Sequence, residues 1–100
     1  MTDAKLGEWS PVQQITQEEK KIFFEVKPMI EKMAKREFKI YFPTVYSSQV
    51  VAGMNYMVKV LVDVCGDGMC VHAWIFQQLG GELSVKDIQY LSVYDPLVPF

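Results

Sequence analysis

The chain has 100 residues, half of them hydrophobic and 22% charged, with a formal net charge of −2. That composition suits a single packed domain over 1–100 and excludes a disordered chain. The small negative charge gives no attraction for nucleic acid or an anionic membrane surface, and no apolar run approaches the ~20 residues of a membrane span. The sequence opens MTDAKLGEWSPV, with no apolar h-region. The expectation is therefore no signal peptide, a cytoplasmic location, and reducing surroundings for the two cysteines.

In chain order, residues 1–11 lack apolar periodicity and contain Gly7, Ser10 and Pro11, which predicts a flexible amino-terminal arm. Val12 to Ile15 reads as a short strand. Thr16-Gln17-Glu18-Glu19 has the form of a capping box. Apolar residues at 22, 23, 26, 30, 33 and 34 then mark one buried helical face, predicting a helix over 17–36 with a kink at Pro28.

Beyond the helix the apolar period falls to 2. Phe38, Ile40 and Phe42 alternate with Lys39 and Tyr41, opening a long strand with a bulge or edge position at Pro43. Tyr56, Val58, Val60, Val62 and Val64 give a second, half-buried antiparallel strand. Val71, Ala73 and Ile75 give a third, and Ile88 to Tyr94 a last. With a loop of residues 66–69, Cys65 falls opposite Cys70, Val64 opposite Val71, Val62 opposite Ala73 and Val60 opposite Ile75. The small apolar residues then share one face. A helix against this sheet is an α+β layer arrangement.

Cys65, Cys70 and His72 include good zinc ligands, but they number three where a structural site takes four, and their spacing fits no zinc motif. A cysteine nucleophile with His72 as base lacks any nearby oxyanion element. An exposed cross-strand pair of Asp63 with His72 is the simpler reading, and neither a cofactor nor an enzyme activity is expected. Trp74 and Phe76 share the outer face of His72, with Trp74 opposite Leu61. They could cover that face, bind a partner, or signal a wrong register. Trp9 could pack the arm or touch a partner.

Gln49-Val50-Val51-Ala52-Gly53 lies where the first long strand turns into the second. The valines could simply end a strand, with Gly53 supplying positive φ, or they could form an exposed apolar interaction tip. The whole string, followed by Asn55-Tyr56, resembles the first inhibitory hairpin of the cystatins. Val26-Lys27-Pro28, Val58-Lys59-Val60, His72, Phe76 and the terminal Phe100 also resemble positions of the stefins, the type 1 cystatins. The resemblance spans nearly the whole chain.

That resemblance implies one helix wrapped by a five-stranded antiparallel sheet, and reversible competitive inhibition of papain-like, cathepsin-type cysteine proteases. It implies a three-part wedge that occludes the active-site cleft without presenting a scissile bond: Leu6 and Gly7, then Gln49, Val50, Val51, Ala52 and Gly53, then a second hairpin at Leu79, Gly80 and Gly81. It also implies a monomer that can form domain-swapped dimers through the 49–53 loop. Two features depart from the family pattern. Gly80 replaces the usual proline, and the 61–70 hairpin is longer and carries both cysteines. The alternative is a non-inhibitory interaction protein with the cystatin fold, a reading that Gly80 alone favours.

Overall fold

A computed structural model describes residues 7–63 and 69–100. The elements are β1 (Gln13–Gln14), α1 (Gln17–Glu25), α2 (Lys27–Ala34), β2 (Tyr41–Val51), β3 (Gly53–Val62), β4 (Met69–Gln77) and β5 (Leu83–Ser92). The strands form one antiparallel sheet in the order β1-β2-β3-β4-β5, and the helices pack on it in the expected α+β arrangement.

The helix begins at the predicted box. The Glu19 carboxylate accepts the Thr16 backbone N–H at 3.0 Å and also the Thr16 hydroxyl. Burial pushes the Glu19 carboxyl up, but these hydrogen bonds outweigh it and hold its pKa below the ordinary value. In place of one kinked helix over 17–36, two segments meet at Val26. Pro28 explains the break: it lacks an N–H and its ring crowds the carbonyl four residues back, so it is tolerated only in a first turn, here that of α2. Lys35, left-handed at φ 61°, ends α2 before the expected boundary. Phe23, Val26 and Ile30 are fully buried, and the Tyr41 hydroxyl donates to the Phe23 carbonyl at 2.6 Å, tying β2 to α1.

Opposite the helix, Val58, Val60, Val71, Ala73 and Ile75 are all fully buried, each large one worth ~1.5–3 kcal/mol. The predicted face is thus correct, but the register is not. Ala73 pairs with Val58, not Val62; Val71 pairs with Val60, not Val64; Ile75 pairs with Tyr56, not Val60; and Trp74 stands opposite Met57, not Leu61. Cys70 faces Leu61 across the ladder, and Cys65 lies outside the described residues. Period-2 patterning cannot distinguish registers that differ by an even number of residues. Strand length decides: the observed register brings Met54 opposite Gln77 and pairs both strands along nearly their whole length.

Two other expectations also need correction. Phe38 and Tyr41 are buried, whereas Ile40 and Phe42 are 56% and 58% exposed. The chain bends at Lys39, whose N–H is held by Asp63 at 3.1 Å, so strand parity starts only at Tyr41. The last strand begins at Leu83 and ends at Ser92. A bulge opposite Trp74 and Ile75 inserts Lys86, so Val85 and Ile88 both pack on the core at a spacing that hides the alternation. The irregularity expected at Pro43 is present, as a register shift between Pro43 and Val45.

The sheet's other face is also covered. Met57, Cys70 and His72 are fully buried there. The segment after β5 crosses this face: the Lys59 ammonium donates to the carbonyls of Val93 at 3.0 Å and Asp95 at 2.7 Å, and Leu97 is buried. His72 is therefore not exposed and not paired with Asp63; it stands between Lys59 and Gln89. Among the described residues neither of its ring nitrogens has a hydrogen-bond partner. Burial lowers its pKa, the Lys59 charge lowers it further, and Asp95 opposes both.

A histidine whose folded pKa is depressed takes up protons more readily when unfolded. Stability is then complete above the unfolded value of 6.5 and declines as pH falls below it. The thermal midpoint should hold from about pH 8 to 6.5 and drop towards about pH 5, above the range where ordinary carboxylates titrate. In His72→Gln that slope should flatten, as followed by circular dichroism melts.

Candidate functional site

Three segments meet at the end of the sheet where β2 turns into β3. The first hairpin is tight: Val50 pairs with Met54 and Val51 with Gly53, leaving Ala52 at the tip. Gly53 is required twice over. Its φ is +115°, and a Cβ there would lie 2.5 Å from the Gln77 carbonyl oxygen. The second hairpin joins β4 to β5 through a turn in which Gln78 N–H donates to Glu82 and Gly81 N–H donates to Gln78, both at 2.8 Å. Gly81 takes φ +100°, and Leu79 at its apex is 84% exposed. A shallow recess between the tips is lined by Val50, Val51, Gly53, Met54, Gln77, Gln78, Leu79 and Gly81.

The third segment is the arm. Gly7, at φ +82°, donates its N–H to the Val50 carbonyl at 2.9 Å, and its own carbonyl accepts the Gln49 side-chain amide at 3.1 Å. Trp9 makes an isolated antiparallel bridge with Gln49. Ser10, buried, exchanges hydrogen bonds with β2: its N–H donates to the Ser48 carbonyl at 2.7 Å, and its hydroxyl accepts the Ser48 N–H at 3.0 Å. The Ser47 hydroxyl donates to the Ser10 carbonyl at 2.7 Å.

The predicted residues Gly7, Gln49, Val50, Val51, Ala52, Gly53, Leu79 and Gly80 therefore gather at one end, and none carries a charge. Leu6 and its neighbour Lys5 lie outside the described residues. A Cβ on Gly7 would meet nothing within 4 Å, so within this chain its glycine is demanded by backbone conformation and not by space. The other ends of β3 and β4, at Val62 and Met69, lie away from these tips, and residues 64–68 between them are outside the described residues. Sequence reading missed the Ser10 anchor and a polar pair on the outer face, in which the Trp74 indole N–H donates to Asn55 Oδ1 at 2.9 Å. Lone serines carry no such signal, and the Trp74–Asn55 pair appears only in the observed register. Among the described residues no cluster of His, Cys, Asp and Glu could hold a metal ion, and no helix is long and apolar enough to cross a membrane.

No family model matches the chain. Among curated proteins, Stefin-C of Bos taurus is 37% identical over 82 residues, 82% of this chain and 78% of its own. Cystatin-B of Macaca fuscata fuscata is 36% identical over 86 residues, covering 83% and 85%. Cystatin-B of Homo sapiens is 37% identical over 76 residues, covering 76% and 74%.

The chain belongs to the stefin family. It is thus a member of a cysteine protease inhibitor family, and not of an enzyme family. As a stefin it keeps the first hairpin string intact and departs at Gly80, where the two backbone bonds of the 78–82 turn still define the loop.

Gly53→Ala should force the hairpins apart, because the strained φ and the Gln77 oxygen both oppose a Cβ. Such strain costs of order 1–3 kcal/mol. The expected result is a thermal midpoint lowered by several degrees, with Gly80→Ala, where a Cβ meets nothing within 4 Å, close to unchanged in the same melt.

Proposed function

We propose that this stefin is a reversible, competitive inhibitor of papain-like cysteine proteases of the cathepsin type, acting in the cytoplasm. The observation that carries the reading is the convergence at one end of the sheet of Gly7, the 49–53 tip and the 79–81 tip, none of them charged. An edge of this kind excludes water from a cleft while offering no peptide bond aligned for attack. Gly7, Val50, Val51 and Leu79 supply dehydrated contact, and Leu6 is assigned to the apolar pocket that takes a substrate's second residue. The two hairpins are fixed by strand pairing, so little conformational entropy is lost on docking. The alternative, a scaffold that has lost inhibition, rests on Gly80, and the hydrogen-bonded 78–82 turn weakens that argument.

Titration of papain with the purified chain should abolish activity near equimolar ratio. Gly7→Glu should weaken inhibition by about 2 kcal/mol or more, roughly thirtyfold, as at other interface hot spots. A chain that leaves papain active at excess would overturn the reading.

The monomer is proposed to exchange strands through the 49–53 loop, since opening that turn lets β2 and β3 run on as one and preserves the remaining contacts between two chains. Heating near the unfolding midpoint, cooling and separating by size should give a dimer without inhibitory activity. A dimer that inhibits papain chain for chain as well as the monomer would refute this hinge.

A further inference from the structure

A line of side-chain hydrogen bonds crosses the outer face of the sheet from β4 to the arm. The Trp74 indole N–H donates to Asn55 Oδ1 at 2.9 Å. The Asn55 amide N–H donates to Gln49 Oε1 at 2.8 Å. The Gln49 amide N–H donates to the Gly7 carbonyl at 3.1 Å. The strand ladder places these groups: Gln49 lies directly opposite Asn55, and Asn55 lies diagonal to Trp74, two residues from its direct partner Phe76.

The chemistry gives the line a single direction. An indole nitrogen can only donate and a peptide carbonyl can only accept. The two side-chain amides between them have carbonyl and NH₂ ends of nearly equal size, so either would be free to flip if its neighbour were indifferent. With a donor-only group at one end and an acceptor-only group at the other, only one orientation of both amides satisfies every bond. Trp74 thus sets Asn55, Asn55 sets Gln49, and Gln49 holds Gly7 beside the Val50 carbonyl that takes the Gly7 N–H.

We propose that Trp74 is a positioning residue for the amino-terminal arm. Through Asn55 and Gln49 it fixes the Gly7 carbonyl and keeps the arm level with the two hairpins. Its inhibitory consequence rests on the function proposed above; its structural consequence does not. Ser10 is anchored on Ser48 independently of this line, so the tether governs only the stretch before it.

The test uses the full-length chain with Trp74→Phe, which keeps a ring but removes the donor, and Asn55→Asp, which still accepts from Trp74 but cannot donate to Gln49. In the free protein, amide hydrogen exchange read by NMR should be about three- to tenfold faster at Gly7 in both variants, the range expected for losing one net hydrogen bond. Exchange at Ser10 should be unaltered. Dissociation from papain should quicken by a similar factor in each single variant and no further in the double variant, because the two act in series. Unchanged Gly7 exchange in both variants would overturn the tether, as would equal acceleration at Gly7 and Ser10, which marks general loosening. Faster Gly7 exchange with papain dissociation unaltered would overturn its role in inhibition. Failure of the unsubstituted chain to inhibit papain would sink the functional reading and leave the exchange result to judge the tether.

Discussion

The pairing of β3 with β4 is the constraint on which the rest of the molecule depends. With Met54 opposite Gln77, Gly53 comes against the Gln77 carbonyl and the two hairpin tips end at the same level. The same register puts Lys59 opposite His72, where its ammonium reaches the carbonyls of the carboxy-terminal segment. It also puts Trp74 diagonal to Asn55. A shift of two residues at each strand would keep every valine in the core and lose all three arrangements. Hydrophobic burial selects the face of the sheet, and the ladder selects what the edges can do.

This division explains how much could be read in the residues. The capping box, the apolar helical face and the faces of the strands were legible because each rests on a local periodicity or a short-range hydrogen bond. The first hairpin was legible because the Gln49–Gly53 string is specific, and the geometry gathers Gly7, the 49–53 tip and the 79–81 tip at one end. What was not legible depends on distant chain. The register could not be fixed by a period-2 pattern, and Asp63 was assigned to His72 on that wrong register. Phe42 and Tyr41 exchanged faces because a bend at Lys39 resets parity. His72 was expected to be exposed because nothing local announces that residues 93–97 fold back over it.

The sheet is accordingly a layer with two buried sides. One side packs under the helices, its valines, Ala73 and Ile75 joined by Tyr41, Tyr46 and Tyr56, and such packing is tolerant of exchange among similar side chains. The other combines Met57, Cys70 and His72 with a lysine that serves the chain's own tail. Polar groups on this side direct geometry: Lys59 locates the tail, and Asn55 and Gln49 locate the arm. The tips of the proposed wedge need no charged group to orient them, because the hydrogen bonds that do so are made behind them, within the sheet.

The extra residue at Lys86 has a further meaning. β5 is the sheet's outermost long strand, and its free side would offer unpaired N–H and carbonyl groups to any passing extended chain. A bulge breaks the even spacing of those groups and twists the strand, and the charges of Lys86 and Asp87 fall at the break. The opposite border, β2, is shielded in part by β1 and by the arm at Ser10. Lateral growth by adding strand to strand is therefore disfavoured at both borders, which leaves the proposed exchange of whole strands between two chains as the closed alternative.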